Sequence, residues 1–428
     1  MAHRTQVTTL TSGLRVVSAD MAGAETVSVG FWVNAGARDE HHAEHGLAHM
    51  LEHMAFKGTA QRSAADIARE VEDKGGYINA HTSREETAYY LRLMAEDLDF
   101  GIDLLADILI NSTYPEDEID REKGVIIQEI GQAMDTPDDV VFDLFQQVSH
   151  PANPMGRPIL GTVDCVSAFS RDDLFAFQRR YYAASSIVVS AAGRVDHDKL
   201  VPMVEAAFAG LDDAATPTPR LAPTWPGEAQ SRREIMTRDL EQAHLVVGLP
   251  GLSFADEDRL ALSALAIMYG GGMSSRLFQE AREKRGLCYS VFAFGQSFSD
   301  SGVMAVYAGT SQDDTSEMIK LAGQELVDLA GHATPEETVR AVAQMRASLR
   351  MQQESVTNVG EAMARQMMIY GELKSPSQWL AEMDAITVDD IRRVAAGLLT
   401  HGPVLAGIGP GQGRDWLDED ALKACFAA

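Results

Sequence analysis

Residues 211–230 read LDDAATPTPRLAPTWPGEAQ, with Pro217, Pro219, Pro223 and Pro226 in a span that lacks any apolar period. Proline fixes φ and removes a backbone donor, so this stretch reads as an extended linker without a core of its own. On either side lie roughly 200 residues, each enough for one compact domain. The two sides share a pattern. Residues 27–33 (VSVGFWV) form an apolar strand, followed after Gly36 by a helix. Residues 244–250 (HLVVGLP) form a similar strand, followed by a helix over about 256–268. Each side also closes alike: 186–193 (SIVVSAAG) precedes a helix at 196–208, and 403–409 (PVLAGIG) precedes an acidic-capped helix at 418–425. A period of about 215 residues is too long for a solenoid and fits two copies of one domain. The expected division is therefore 1–211, a linker at 212–230, and 231–428.

Local signals in the first half define the class of that domain. Ser63 and Asp66 make a capping box ahead of a helix closed by Gly75 and Gly76. Residues 77–82 (YINAHT) and 87–94 (TAYYLRLM) read as two strands of a hairpin turning at SREE. Helices follow at about 97–110 and 115–134, the second opened by Pro115 among acidic residues. Hairpins joined to helices by short connections predict an α+β fold: two similar domains, each a mostly antiparallel sheet with helices packed on one face.

Hydrophobic residues make up 45% of the 428, which excludes a globally disordered chain. With 36 Lys+Arg against 63 Asp+Glu the formal charge is 36 − 63 = −27. Phosphate backbones need a basic face, so nucleic acid is not expected as a partner, and an anionic membrane surface is repelled. A basic, extended peptide is attracted. Cys165, Cys288 and Cys425 are too few for a disulfide framework and fit a reducing compartment. The first twenty residues have no apolar core of a leader peptide, and no apolar run approaches the ~18–20 residues of a membrane helix. A cytoplasmic protein is expected, with a mature organellar form as the alternative.

Residues 39–58 (DEHHAEHGLAHMLEHMAFKG) contain His-x-x-Glu-His twice, at 41–45 and 49–53. Helical geometry favours the second copy. His49 and His53 are i and i+4, hence on one face, where two imidazoles can converge on a zinc ion at ~2.0–2.1 Å. Glu52 shares that face and is placed to act as a general base on water. Leu47, Met50, Leu51, Met54 and Phe56 surround the copy with apolar residues, and paired buried histidines without a metal are costly. The first copy lies among charges, where the helix is only starting.

A catalytic zinc takes three protein ligands and keeps one position open. In the helix at 115–134, Glu129 is a carboxylate amid Val125, Ile126, Ile127 and Ile130, and such a group needs a partner. It is the best third ligand. Glu122 lies two turns earlier on the same face, placed either to hold a ligand histidine from behind or to be a surface charge.

The phrase Gly46 to Thr59, G-L-A-H-M-L-E-H-M-A-F-K-G-T, resembles the inverted zinc motif of the pitrilysin family of metallopeptidases, to which insulin-degrading enzyme and the mitochondrial processing peptidase belong. The likeness continues through N-A-H-T-S-R-E at 79–85, R-E-K-G-V-I-I-Q-E-I at 121–130, G-G-G-M-S-S-R-L at 270–277 and R-E-K-R-G-L-C-Y at 282–289, so it spans nearly the whole chain. A short two-domain member similar to the catalytic subunit of the processing peptidase is implied. The resemblance implies that His49, His53 and Glu129 bind one Zn2+ per chain, that Glu52 activates water, and that Glu122 supports the site. Asn79, Ala80, His81 and Thr82 match the edge strand to which substrate is added as a further strand. His81 departs from the aromatic residue common there, so it is either a substrate contact or a plain strand residue. Arg282 and Tyr289 match the family's second-half Arg and Tyr, donors able to stabilise an oxyanion or anchor substrate backbone. Without the resemblance, an Arg on a charged helix and a Tyr opening a strand are ordinary.

The second half contains no His-x-x-Glu-His, so one metal-bearing domain and one metal-free domain are expected. The reading that results is a zinc-dependent endopeptidase acting on peptides or unfolded, presequence-like segments. Its rival is a non-catalytic scaffold or subunit built on the same fold. Long members of the family close four such domains around a chamber, so two domains imply half of one. A homodimer is expected before a heterodimer, with Arg282 and Tyr289 serving the partner's zinc.

Overall fold

The computed structural model describes residues 3–211, 219–226, 232–411 and 416–427. Of the linker expected at 212–230, residues 212–218 and 227–230 lie outside the described residues.

In the first half β1 (Arg4–Thr9), β2 (Arg15–Asp20) and β3 (Thr26–Val33) lead to helix α1 (Leu47–Met54). Helix α2 (Ala64–Asp73) starts at Ser63, whose hydroxyl accepts from the Asp66 amide, and then comes the hairpin β4 (Tyr77–Thr82) and β5 (Thr87–Met94). Helices α3 (Leu98–Ile110), α4 (Glu116–Met134), α5 (Pro137–Ser149), α6 (Val163–Ala168) and α7 (Arg171–Tyr181) precede β6 (Ile187–Gly193) and α8 (His197–Ala207). The second half runs β7 (Arg232–Thr237), β8 (Ala243–Pro250), α9 (Arg259–Gly270), β9 (Cys288–Ser297) and β10 (Gly302–Thr310). It continues with α10 (Thr315–His332), α11 (Pro335–Gln352), α12 (Val356–Tyr370), α13 (Pro376–Asp384), α14 (Val388–Leu398), β11 (Val404–Gly409) and α15 (Glu419–Cys425).

The strand order is β1-β2-β6-β3-β5-β4 in one sheet and β7-β11-β8-β10-β9 in the other. Apart from the extra β1, the two orders correspond strand for strand. Each sheet is antiparallel except for one pair, β2 with β6 and β7 with β11. The repeat seen in the sequence is thus a repeat of topology, and each sheet ends in the first strand of a hairpin, β4 or β9.

Two compact units result, and neither is a contiguous half. One comprises Met1–Gly131, Arg157–Arg220 and Arg350–Lys374; the other comprises Gln132–Gly156, Leu221–Leu349 and Ser375–Ala428. Division at 212–230 alone therefore misses an exchange of helices between the halves. Side chains alternate across a strand, and the first sheet shows both sets buried. Val27, Val29, Phe31, Tyr89, Leu91 and Val189 pack with α1 and α3 residues such as Leu51 and Leu105. The opposite set, Val17, Ala19, Trp32, Ala88, Val188 and Ala192, is covered by Val359, Met363, Ala364 and Met367 of α12, which comes from the second half. In the other unit, α5 from the first half does the same with Val140, Val141, Leu144 and Phe145 against Val246, Val303, Ala305 and Val404. Helices do lie together on one face, as expected, while one exchanged helix covers the other. Burial on both faces is why 27–33 and 186–193 read as unbroken apolar runs rather than alternating ones.

Candidate metal centre

Helix α1 buries Leu47, Ala48, Met50, Leu51 and Met54, which turns His49, Glu52 and His53 together onto the other side. Its start is set by Gly46, at φ +99, where a Cβ would stand 2.7 Å from the Leu160 carbonyl oxygen. Only glycine accepts that backbone and that approach. Glu40, buried, caps the helix: its two carboxyl oxygens accept from the amides of Gly46 at 2.9 Å and Ala48 at 2.8 Å.

The rings of His49 and His53 lie 4.5 Å apart. Glu129 of α4 brings Oε2 to 3.9 Å from His49 Nε2 and 3.7 Å from His53 Nε2. These separations are too long for hydrogen bonds. They approach the ~3.4 Å expected between ligand atoms of a tetrahedral ion with bonds of about 2.1 Å. Glu129 Oε2 is shut off from solvent with no hydrogen-bond partner, an arrangement that is costly unless something else compensates it. Burial, then the neighbouring His53, pushes His49 down to about 4, which keeps its imidazole neutral and able to donate a lone pair. Two imidazole nitrogens and one carboxylate oxygen are a donor set that zinc accepts. Among the described residues this is the one group of three His, Cys, Asp or Glu side chains close enough to share an ion.

Glu122, two turns before Glu129 in α4, supports His53. The His53 Nδ1–H donates to Glu122 Oε2 at 2.9 Å, and Lys57 Nζ donates to Oε1 at 2.6 Å. Burial pushes Glu122 up, but the hydrogen bonds from Lys57 and His53 outweigh it and hold the carboxyl below its usual range. With Nδ1 engaged by Glu122, Nε2 is the nitrogen that faces Glu129. Glu52 accepts from the Thr82 hydroxyl at 2.6 Å. Burial raises its carboxyl above the usual range, against the pull of Thr82 and the histidines. An elevated carboxyl suits proton transfer near neutrality.

The second sheet-side contribution comes from β4, an edge strand. Its parity divides the expected substrate residues. Ile78 and Ala80 pack against the core that holds α1, and Thr82 shares their face. Asn79 and His81 face the α12 side: Asn79 Nδ2 donates to the Tyr77 hydroxyl at 3.1 Å, and His81 lies 6.1 Å from the Tyr90 ring and 3.7 Å from Glu86. Thr82 is thus tied to Glu52: alternation puts it on the face of Ala80, and only the fold shows that α1 lies under that face.

The copy at 41–45 serves local structure. Glu44 accepts from the His41 amide and pairs with Arg180, and His45 Nε2 meets the Pro158 carbonyl at 2.8 Å. Arg282 and Tyr289 belong to the other unit. The Arg282 guanidinium lies 4.8 Å from the Phe278 ring and 5.1 Å from the Tyr289 ring, and Tyr289 is 75% exposed. A separate cleft of about 930 Å³, lined by Arg4, Gln6, Asp20, Arg194 and Lys199 among others, contains none of the metal-centre residues.

Residues 15–163 match the family described as Insulinase (Peptidase family M16), and residues 168–345 match the Peptidase M16 inactive domain. A protein of Streptomyces coelicolor named as an uncharacterized zinc protease is 41% identical over 94% of this chain and 89% of its own. The chain belongs to peptidase family M16. A Bacillus subtilis relative, also named a zinc protease, is 33% identical over 94% of this M16 chain and 97% of its own. In fold it matches a protease from Helicobacter pylori, with TM-score 0.88 at 24% identity, covering 96% of this chain and 100% of that one. It likewise matches a chain of complex III2 from Candida albicans, with TM-score 0.86 at 21% identity, covering 99% and 100%. The inactive-domain match falls where this M16 chain has no His-x-x-Glu-His. No helix among the described residues is long and apolar enough to cross a membrane.

Proposed function

We propose that this chain is a zinc-dependent endopeptidase in which His49, His53 and Glu129 hold the metal and Glu52 is the general base. The observation that carries the proposal is the buried, unpartnered Glu129 Oε2 facing two imidazole nitrogens, beside a helix that also presents a glutamate. Zinc bound by these three side chains supplies a Lewis acid and a water of lowered pKa. The carboxylate of Glu52 takes the proton of the attacking water and returns it to the leaving amine. Glu122 keeps His53 in the tautomer that binds through Nε2. The outer edge of β4 has no partner strand among the described residues, which supports backbone recognition of an extended peptide. Such recognition tolerates many sequences, and the −27 charge favours basic ones.

The test is metal content with peptide cleavage. Purified chain is expected to carry one zinc by mass spectrometry and to cleave a mixed peptide library. A chelator and Glu52→Gln should each abolish cleavage, the variant while retaining zinc. A chain that takes up no zinc and cleaves nothing is instead a non-catalytic subunit on the same fold.

A further inference from the structure

We propose that Thr82 is a positioning residue for the base: its hydroxyl fixes the Glu52 carboxylate through Oε2 so that the other oxygen is presented to the proton it transfers. The inference rests on the peptidase reading of the same site and goes beyond it by giving Thr82 a role other than contact with substrate.

The geometry is direct. Thr82 Oγ1 donates to Glu52 Oε2 at 2.6 Å, a charge-assisted bond, and among the described residues no other hydrogen bond to that carboxylate is made. A glutamate on a helix has three side-chain torsions, the last of them broad, so one such bond decides where the carboxylate plane lies. Threonine is a stiff partner because it is β-branched.

The position of Thr82 is itself held from several sides. It pairs with Thr87 in the β4–β5 ladder, and the turn that follows closes with the Ser83 amide donating to Glu86 O at 2.8 Å. The same turn receives the amides of Ala37 at 3.0 Å on Ser83 O and Arg38 at 2.8 Å on Arg84 O. Its two glutamates are gripped by cations: Glu85 by Arg38 at 2.5 Å, and Glu86 by Arg365 of the exchanged helix α12 at 2.6 Å. Arg220 adds a bond to Glu85 O at 2.8 Å. A hydroxyl placed by this many constraints is suited to hold a reacting group still, and displacement of such a group by about 1 Å costs up to 10²-fold in rate.

The two roles open to Thr82 make different predictions. A substrate contact, once removed, raises KM. A positioning residue, once removed, lowers kcat and leaves KM in place. The isosteric Thr82→Val is expected to lower kcat roughly 10- to 100-fold with KM within about twofold, zinc content and melting temperature unchanged. Thr82→Ser, which restores the hydroxyl, should keep kcat within about threefold of the parent. A second readout needs no turnover: in metal-free protein, the infrared difference between parent and Glu52→Gln isolates the Glu52 carboxylate stretch. That band should shift in Thr82→Val and stay in Thr82→Ser. Unchanged kcat in Thr82→Val, or a raised KM at unchanged kcat, overturns the proposal, as does an unshifted band. Should Thr82→Val fail to fold, the serine variant decides by the same two readouts against Thr82→Ala. A parent chain that binds zinc and cleaves nothing refutes the peptidase reading, and the infrared band still shows whether Thr82 holds Glu52.

Discussion

The Nδ1–H of His53 donates to Glu122 while Lys57 neutralises the far oxygen, so a buried carboxylate is satisfied and the Nε2 that we propose binds zinc is oriented at once. Removing Glu122 leaves His53 free to rotate or to carry its proton on Nε2. Glu122→Ala is expected to weaken zinc binding about 10- to 100-fold, measured by competition with a calibrated chelator, with the fold retained. His81→Ala, on the other face of β4, should leave that affinity unchanged; equal losses in both variants would refute the assignment. His49, Glu52 and His53 were legible because i, i+3 and i+4 on a helix is a local geometry that needs no knowledge of the rest of the chain. Glu129 stood out as a charge in an apolar run, and its partners were inferred rather than read. In the sequence Thr82 does not stand out from its strand neighbours, since backbone pattern alone does not say which helix lies under which face.

At the scale of elements, α1 depends on a cap that lies outside it. Glu40 closes the helix from six and eight residues away, and burial pushes its carboxyl from an ordinary 4.5 up to about 8 against the pull of the Ala48 and Gly46 amides. The folded state then keeps this proton where the unfolded chain has released it. Between those values the folded state binds more protons, so stability falls as pH rises, by up to roughly 1.4 kcal/mol per pH unit crossed. Glu40→Gln removes this contribution, so between pH 5 and pH 8 the parent's denaturant midpoints should fall relative to those of Glu40→Gln. Equal slopes in the two proteins would exclude Glu40 as the source. Element boundaries carried by local signals were readable: strands β4 and β5 fall on the expected residues, and α2 begins after Ser63 as its capping box requires. The destinations of α5 and α12 were not. An apolar helical stripe such as Val359, Met363 and Met367 states that a helix must be covered, and says nothing about which sheet covers it.

For the whole molecule, the exchange means that each unit needs both halves of the chain, so neither half is expected to be an independent domain. The two-unit M16 chain carries both His49–Glu129 chemistry and the Arg282/Tyr289 pair, and we propose that it self-associates so that each zinc centre is completed by the partner's pair. Mixing and reassembling Glu52→Gln chains with Arg282→Ala/Tyr289→Phe chains should then restore about a quarter of the parent's activity, since half of randomly paired dimers hold one intact site. Activity no higher than that of either variant alone refutes completion in trans.

What the chain's letters determined by themselves were features with a short physical range. Strand alternation, helix starts at capping boxes, the histidine pair one turn apart and the topological repeat flanking a proline-rich stretch all follow from backbone periods of 2 and 3.6 residues. Tertiary structure alone decided the exchange of α5 and α12, the seating of Thr82 on Glu52 and the capping of α1 by Glu40. Those depend on which surfaces, far apart along the chain, bury each other most completely, and no local period encodes that choice.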